Sequence, residues 1–547
     1  MSNAERIVEE FLTGKGIMPE NMPSFLHPVF ERDLSSPDGL PDMAVAVERI
    51  KQAIGRGEKI VVFGDYDADG IPATALLLRV LRNLGADAAG IIPLRSEGYG
   101  LSLESVERIK AAGTQLLITV DNGTAAKAEV AALLDVGIET IICDHHEPQD
   151  GHIAEALALI NPKRADSQYP YRELCACALA WKLSWALCSH LQVPTDPLKW
   201  ELDLVALSTV ADMVPLVGEN RTLVQFGLQV LQKTRNVGLQ ALAEVSGFDL
   251  KHATAADIGF RLAPRLNATS RMHQELLDGQ NASLELLVSQ DKAVAKRIVA
   301  HLQSCNAARQ TLVQSHLQDA ERQLAGKADQ LCFVLYEPHW SCGVIGLVAG
   351  RMAETYKRPV LALAPEGEVI KGSVRSIDGI SVLDLLASAE SAFLRFGGHA
   401  KAGGLTMLPS ELTDLQGRLQ AWLLSKGSSL MDFAAVSALP DIALPLGEAN
   451  LELADKLREI GPFGTGFEEP LIGSRVRIKA PRSVGTEGRH FSCQLYDGEE
   501  TRKAIGFSMN DPGVNPDAWY RAEYTLQADE WQGRRTASCM LKRLVLL

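Results

Sequence analysis

The sequence predicts an α/β protein in four parts: a parallel-sheet domain, a helical connector, a second α/β domain and a C-terminal β-barrel. Three observations predict it. Apolar runs of strand length alternate with amphipathic helical stretches over residues 59–160, which argues for a parallel sheet with helices on both faces. A polar-apolar helical stretch fills residues 274–325. Beyond about residue 435 the pattern turns to short alternating segments separated by turn signals, as in a small barrel.

Taken in order, KIVVFGD (59–65) reads as a buried strand,. The turn Asp65–Gly70 follows, and then a helix from Ala73 to Leu84, with Pro72 at its start and Gly85 past its end, the usual places for those residues. Strands are predicted at 89–94, 115–120, 140–143 and 158–160, with helices at 103–112 and 125–134 between them. Residues 174–191 and 200–210 read as helices. A second α/β segment begins near Gln330, with strands at 331–336 and 360–363 around a helix at 344–356. In the tail, HFSCQLYD, KAIGFSM, AEYTLQADEW and ASCMLKRLVLL alternate as strands, with turns at Asp497-Gly498 and Gln532-Gly533,. We find no internal repeat and no low-complexity tract.

Composition bounds the answer. A chain of 547 residues, 46% apolar and 22% charged, is long enough for about three or four globular domains. Its nine cysteines are scattered and form no CxxC pair, which fits a reducing compartment better than a disulfide scaffold or a structural zinc site. Cys175 and Cys177 read as core. The N-terminus is acidic and amphipathic without a secretory h-region, and no apolar run approaches the ~18 residues of a membrane span. The expectation is a cytoplasmic protein without membrane attachment. The net charge of −14 is unlike that of a typical nucleic-acid binder, but a carboxylate-built site is itself acidic until cations fill it.

The informative feature is where the acidic residues fall. Asp65, Asp67 and Asp69 follow the first strand; Asp121 ends another; Asp144, His145 and His146 end a third; Asp212 follows a helix. Strand C-termini share one edge of an open parallel sheet, where ligands bind, so these clusters converge. A lone Asp after a strand is more often a turn former or helix cap, and His145 alone would more often be a packed polar residue. Together, crowded carboxylates raise one another's pKa unless a cation compensates. Oxygen ligands with one imidazole suit Mn²⁺ or Mg²⁺. So many ligands suit two ions, which can activate a water and stabilise both oxygens of an in-line phosphoryl displacement. There is no EF-hand, HExxH, Walker or G-x-S-x-G motif.

GDYDADG (64–70), VDNG (120–123), DHH (144–146) and VADMVPL (210–216) resemble, in order and spacing, the four motifs of DHH phosphoesterases. RSEGYGLS (95–102), NPKR (161–164), GENR (218–221), PRLNATSR (264–271), GVIGLVAGR (343–351), GSVRSIDG (372–379), FGGHAKAGG (396–404) and PFGTGFEEP (462–470) extend the likeness to RecJ-type exonucleases over nearly the whole chain. The resemblance implies a DHH catalytic domain with an N-terminal extension (1–270), a helical connector (271–328), a DHHA1 substrate-binding domain (329–428) and an OB-like domain (429–547). It implies Asp67, Asp69, Asp121, His145 and Asp212 as metal ligands, with Asp121 bridging and Asp65 a ligand or its support. It also implies that His146 faces the scissile phosphate and that Asp144 orients the histidines. Activity on single-stranded DNA, 5′-to-3′ polarity, a monomeric state and partnership with a RecQ-type helicase and a single-strand-binding protein are further implications.

For holding the strand, Gly397, Gly398 and His399 lie in a glycine-rich loop open to phosphate. Ser373, Arg375 and Ser376 offer a fork and hydroxyls, and Arg95, Arg265, Arg271 and Arg351 are further candidates. Ser270 stands where the family has glycine, and serine disfavours positive φ, which bears on the placement of Arg271. In the tail, Phe491, Tyr496, Phe507, Trp519, Tyr520, Tyr524 and Trp531 accompany Arg475, Arg477, Lys479 and Arg482, and about half of these aromatics must be core. The rival readings are a DHH enzyme acting on short oligonucleotides, cyclic dinucleotides or pyrophosphate, and a catalytically dead strand-binding replication factor. The barrel argues against the first and the intact acidic motifs against the second.

Overall fold

The structure, a computed structural model, describes residues 2–149, 151–327, 329–427, 439–485, 488, 490–507, 509, 512–531 and 533–547, with Trp531 described by its backbone alone. The first sheet is parallel, built of β1 (Ile60–Phe63), β2 (Ala88–Ile91), β3 (Leu116–Val120), β4 (Glu139–Cys143) and β5 (Ala158–Ile160) in the order β2-β1-β3-β4-β5. Alternate residues of β1 face opposite cores, as the pleat requires. Ile60 and Val62 pack with Leu76, Leu183 and their neighbours, and Val61 and Phe63 with Val106, Ile109, Val130 and Leu133. The strand order reverses between β1 and β3, so the crevice beyond their C-termini is where this topology places a ligand.

The helix after β1 runs Gly70–Asn83, three residues earlier than the sequence predicts. Pro72 is tolerated because it lies in the first turn, where N–H groups have no intrahelical partner. Residues 274–325 are not one helical stretch. A two-stranded hairpin, β6 (Leu276–Leu277) and β7 (Gln280–Asn281), turns at Asp278-Gly279, both with positive φ. A short helix, Ala282–Val288, precedes the 33-residue helix Lys292–Leu324, which Asp291 caps. Ala295, Ile298, Val299 and Leu302 of the long helix join the catalytic-domain core, and Ala320 and Leu324 join a core of the second domain.

The second sheet comprises β8 (Phe333–Tyr336), β9 (Val360–Glu366), β10 (Val369–Arg375), β11 (Arg395–Gly398) and β12 (Ala402–Met407), ordered β11-β12-β10-β9-β8. Only β8 and β9 are parallel. The glycine-rich segment 397–404, expected as a loop, is therefore a hairpin in which Gly397 and Gly398 pair with Gly404 and Gly403. Strand pairing uses backbone groups, which glycine supplies without the side-chain pattern that announces a strand.

The third sheet holds β13 (Ile442–Ala443), β14 (Ile472–Val484), β15 (His490–Tyr496), β16 (Thr501–Gly506), β17 (Tyr520–Trp531) and β18 (Arg534–Leu546), and the β14–β17 pairing closes it into a barrel. The turn at Asp497-Gly498 joins β15 to β16; Gln532 lies outside the described residues. The N-terminal helix Asn3–Gly14 does not extend the catalytic domain. Ile7, Phe11 and Leu12 pack in the barrel core with Leu453, Leu457 and Phe467.

Candidate metal centre and phosphate cleft

The acidic motifs converge at the switch point between β1 and β3. The turn after β1 is tight: a Cβ on Gly70 would lie 2.4 Å from the Asp65 backbone nitrogen. Within it the Asp67 carboxylate accepts from the N–H groups of Asp69 (2.8 Å) and Gly70 (3.1 Å). Asp69 accepts from the N–H groups of Ala176 and Cys177, at 2.8 and 2.9 Å, at the start of the helix Ala176–His190, where a helix favours an anion. Cys175 and Cys177 are buried and pack in the core. Asp121 leaves β3 with φ 66°, a left-handed backbone unusual outside glycine, asparagine and aspartate.

Around the His145 imidazole three carboxylates gather. Its Nε2 lies 3.1 Å from Asp121 Oδ1, 3.6 Å from Asp69 Oδ2 and 3.8 Å from Asp212 Oδ2. Asp65, Asp67 and Asp121 bring ligand atoms within 4.8 Å of one another, as do Asp69, His145 and Asp212. Asp121 thus stands in one cluster and touches the other. Burial, then the charges of Asp69 and Asp67, pushes the Asp121 carboxyl well above the usual range. Burial and Asp67 do the same to Asp65. Asp212 is pushed up to about 8 by burial, Asp69 and Asp67. His145 is pushed down by burial, which leaves an imidazole lone pair available. Asp65 Oδ1 is buried and has no hydrogen-bond partner among the described residues. Hard oxygen donors, one neutral imidazole and repulsion that only positive charge relieves all fit a pair of divalent cations.

Asp144 lies one layer out. It accepts from the backbone N–H groups of Thr124, His145 and His146 and from His146 Nδ1 at 2.8 Å. Burial opposes its charge, but His146 and these donors hold its carboxyl below the usual range. Burial likewise disfavours a charged His146, yet the Asp144 hydrogen bond and charge hold it up at about 9, so the ring keeps a proton at neutral pH. Tyr99, which sequence reasoning missed as a site residue, donates to the Asp121 carbonyl at 2.7 Å and lies 2.9 Å from His146 Nδ1.

Beside this centre a cleft of about 540 Å³ opens between the first two domains. Arg95, Arg271, Ser373, Arg375 and Gly397 line it, as do Lys371 and Arg395, which the sequence did not single out. Arg95 lies over the Tyr66 ring at 5.1 Å, between Asp65 and Asp67 in the chain, so cleft and metal centre share a wall. Burial, then repulsion from Arg95 and Arg309, presses Arg271 down to about 10, and burial lowers Arg375. Crowded, desolvated guanidinium groups make an anion site. Ser270 sits in the helix Ala268–Arg271 with its hydroxyl on the Asn267 carbonyl, so no positive φ is required there.

Other predicted residues lie apart from the cleft lining. Arg265 is held by Gln303 and the Arg261 carbonyl. Arg351 is half-exposed beside Glu354. Ser376 is partly buried, and its hydroxyl has no partner among the described residues. Gly398 and His399 form the exposed hairpin end. On the barrel, Phe491, Tyr520 and Tyr524 are core. Arg475 and Arg477 flank Trp519 at 4.6 and 4.7 Å, Lys479 lies over Tyr496, and Phe507 is exposed.

A parallel sheet with an Asp/His metal centre at its switch point, facing a basic cleft, defines a metal-dependent phosphoesterase of the DHH class. Family models match accordingly: the DHH family N-terminal domain over residues 59–209, the DHHA1 domain over 329–425 and the RecJ OB domain over 440–543. The chain belongs to the RecJ family. It is 35% identical over 525 residues to the single-stranded-DNA-specific exonuclease RecJ of Salmonella typhimurium, covering 91% of this chain and 89% of the relative. It is 32% identical to that of Bacillus subtilis, covering 98% and 67%. The crystal structure of Thermus thermophilus RecJ with Mn²⁺ superposes with a TM-score of 0.80 at 30% identity, covering 99% of this chain and 78% of that one. A Mg²⁺ complex of the Thermus protein gives 0.74 at 28% identity.

Proposed function

We propose that this chain is a 5′-to-3′ exonuclease on single-stranded DNA that releases nucleoside monophosphates. The carrying observation is the shared wall between the carboxylate centre and the guanidinium cleft, which would let the centre take a phosphodiester once cations are bound while the cleft holds a neighbouring phosphate. The curated relatives' naming as single-stranded-DNA-specific exonucleases supports the same reading. Asp67, Asp69, Asp121, His145 and Asp212 would hold two Mn²⁺ or Mg²⁺ ions, with Asp65 supporting. When bound, such a pair activates water and stabilises the attacking and leaving oxygens. The chain's own residues position and protonate. His146, kept charged by Asp144, directs a proton at the scissile phosphate. Arg95, Arg271, Ser373 and Arg375 fix the strand, and Trp519 with its flanking arginines offers bases a stacking surface. A substrate of one or two nucleotides would leave that surface without a role.

The division into 1–270, 271–328, 329–428 and 429–547 remains our working description, with the N-terminal helix assigned to the barrel. All nine cysteines are free and no helix among the described residues is long and apolar enough to cross a membrane; both support a cytoplasmic setting. A monomer working with a RecQ-type helicase and a single-strand-binding protein completes the reading. The test is digestion of single-stranded DNA labelled at either end, with and without Mn²⁺. Early release of label from the 5′ end alone is expected. Release from the 3′ end first, or no release, overturns the proposal.

A further inference from the structure

Asp212 differs from Asp67 and Asp69 in how it is held. Backbone N–H groups fix the carboxylates of Asp67 and Asp69. Among the described residues no hydrogen bond reaches the Asp212 carboxylate, which lies 3.8 Å from the neutral His145 imidazole. Its position therefore depends on the backbone turn between the helix Leu202–Ala211 and the helix Gly218–Leu231. That turn includes Met213 at φ 61°, a conformation a non-glycine residue keeps only when its surroundings impose it.

Two domains supply the surroundings: in the catalytic domain the Tyr171 hydroxyl donates to the carbonyls of Pro215 (3.3 Å) and Val217 (2.8 Å) and the Asn220 amide to Pro215 (3.1 Å), and the C-terminal domain closes the other side. Leu216 N–H donates to the Thr465 carbonyl at 2.7 Å. Gly466, at φ 76°, packs so closely that a Cβ there would lie 3.1 Å from Pro215 Cβ. One helical turn further on, Arg221 is 2% exposed. Its guanidinium donates to the carbonyls of Ile460 (2.7 Å), Gly461 (2.9 Å) and Pro462 (3.1 Å), and to that of Phe25 (2.9 Å). It lies 3.8 Å over the Phe25 ring. A fork that satisfies four carbonyls at once is a task for arginine that a lysine cannot repeat.

We infer that the C-terminal domain is a working part of the metal centre: Arg221 and the 460–466 loop set the turn that places Asp212. This rests on reading Asp212 as a ligand. Arg221 is a positioning residue, acting through the turn and not on substrate. The barrel domain then does two things at once, gripping the strand and completing a ligand set in another domain.

The experiment is Mn²⁺ titration calorimetry on the full chain, wild type against Arg221→Lys and Gly466→Ala, with thermal unfolding in chelator as the folding control. The expected result is two Mn²⁺ per wild-type chain and, in both variants, one of the two weakened by about tenfold. Cleavage of a short oligonucleotide at limiting Mn²⁺ falls in parallel and recovers at high Mn²⁺, a rescue that mere domain glue would not show. If Arg221→Lys does not fold, Gly466→Ala decides. Folded variants with wild-type Mn²⁺ affinity, and only a raised KM for long strands, overturn the inference. Wild type that takes up no Mn²⁺ overturns it together with the metal reading. Wild type that binds two Mn²⁺ but leaves DNA intact overturns the proposed function alone, since the titration needs no substrate.

Discussion

Replacing Asp121 by asparagine separates chemistry from folding. Asparagine keeps the size of the side chain and tolerates the left-handed backbone at φ 66°,, so the change removes charge and little else. Asp121 touches His145 at 3.1 Å and shares a ligand cluster with Asp65 and Asp67, which sets it beside both proposed cation positions. Losing it should slow hydrolysis at least ~10³-fold, or ~4 kcal/mol of transition-state stabilisation. Stability should move the other way in chelator. The buried Asp121 carboxyl is held well above its ordinary range by burial and by Asp69 and Asp67, and a neutral amide escapes that penalty. Each kcal/mol relieved raises Tm by roughly 2–4 °C in a domain of about this size. The assay pairs single-turnover digestion of 5′-labelled single strands in saturating Mn²⁺ with thermal melts in EDTA. A variant that cuts at near-normal rate would refute the assignment; one that is slow and also melts early in EDTA would show that Asp121 is structural.

Chelation with EDTA should abolish hydrolysis, Mn²⁺ or Mg²⁺ should restore it, and Ca²⁺ should support strand binding only; residual digestion in excess chelator contradicts the two-cation reading. Arg375→Ala should weaken strand binding and flatten its salt dependence by up to about one unit, measured in an Asp121→Asn background with Ca²⁺, while Mn²⁺ content stays normal. Asp144→Asn should cost roughly 10- to 100-fold in rate, because His146 loses the partner at 2.8 Å that keeps it charged; an unaltered rate would remove His146 from the chemistry. The Asp212 carboxyl, raised to about 8, makes the metal-free fold bind more protons than the unfolded chain. Its contribution is therefore fully present below about pH 4 and is lost as pH rises through 8, so Asp212→Asn should flatten that fall in EDTA melts, and parallel pH profiles would disprove it. Glu219→Ala leaves Lys182, 2.8 Å away and fully buried, without its counter-charge and should cost ~3–5 kcal/mol of stability, read from denaturant midpoints.

The catalytic sheet was legible because its strands are continuous apolar runs, and a run such as Ile60–Phe63 can be little else. The acidic centre followed, since strand ends in a parallel sheet must meet. The second domain was less legible. Gly397, Gly398, Gly403 and Gly404 pair as strands while displaying no side chain to reveal it. The hairpin at Leu276–Asn281 hid inside a helical pattern because two-residue strands carry no periodicity. Lys371 and Arg395 reach the cleft only through the packing of separate elements, which spacing along the chain does not encode. Tyr99 had a weak signal, its place inside RSEGYGLS. The docking of the Asn3–Gly14 helix on the barrel, more than 400 positions away, had none.

The 33-residue helix Lys292–Leu324 fixes a different property. Its early turns are cemented into one wall of the cleft through Leu302 and its last turns into the other through Ala320, so it acts as a ruler about 50 Å long. A ruler made of helix is also a screw. One residue added between those anchors would swing the far wall by about 100° and advance it by about 1.5 Å. Seven would restore the facing direction to within about 20° but part the walls by roughly 10 Å. The length of this segment is therefore quantised, and among natural or engineered variants with intact anchors its interior should accept changes of residue far more readily than changes of residue number.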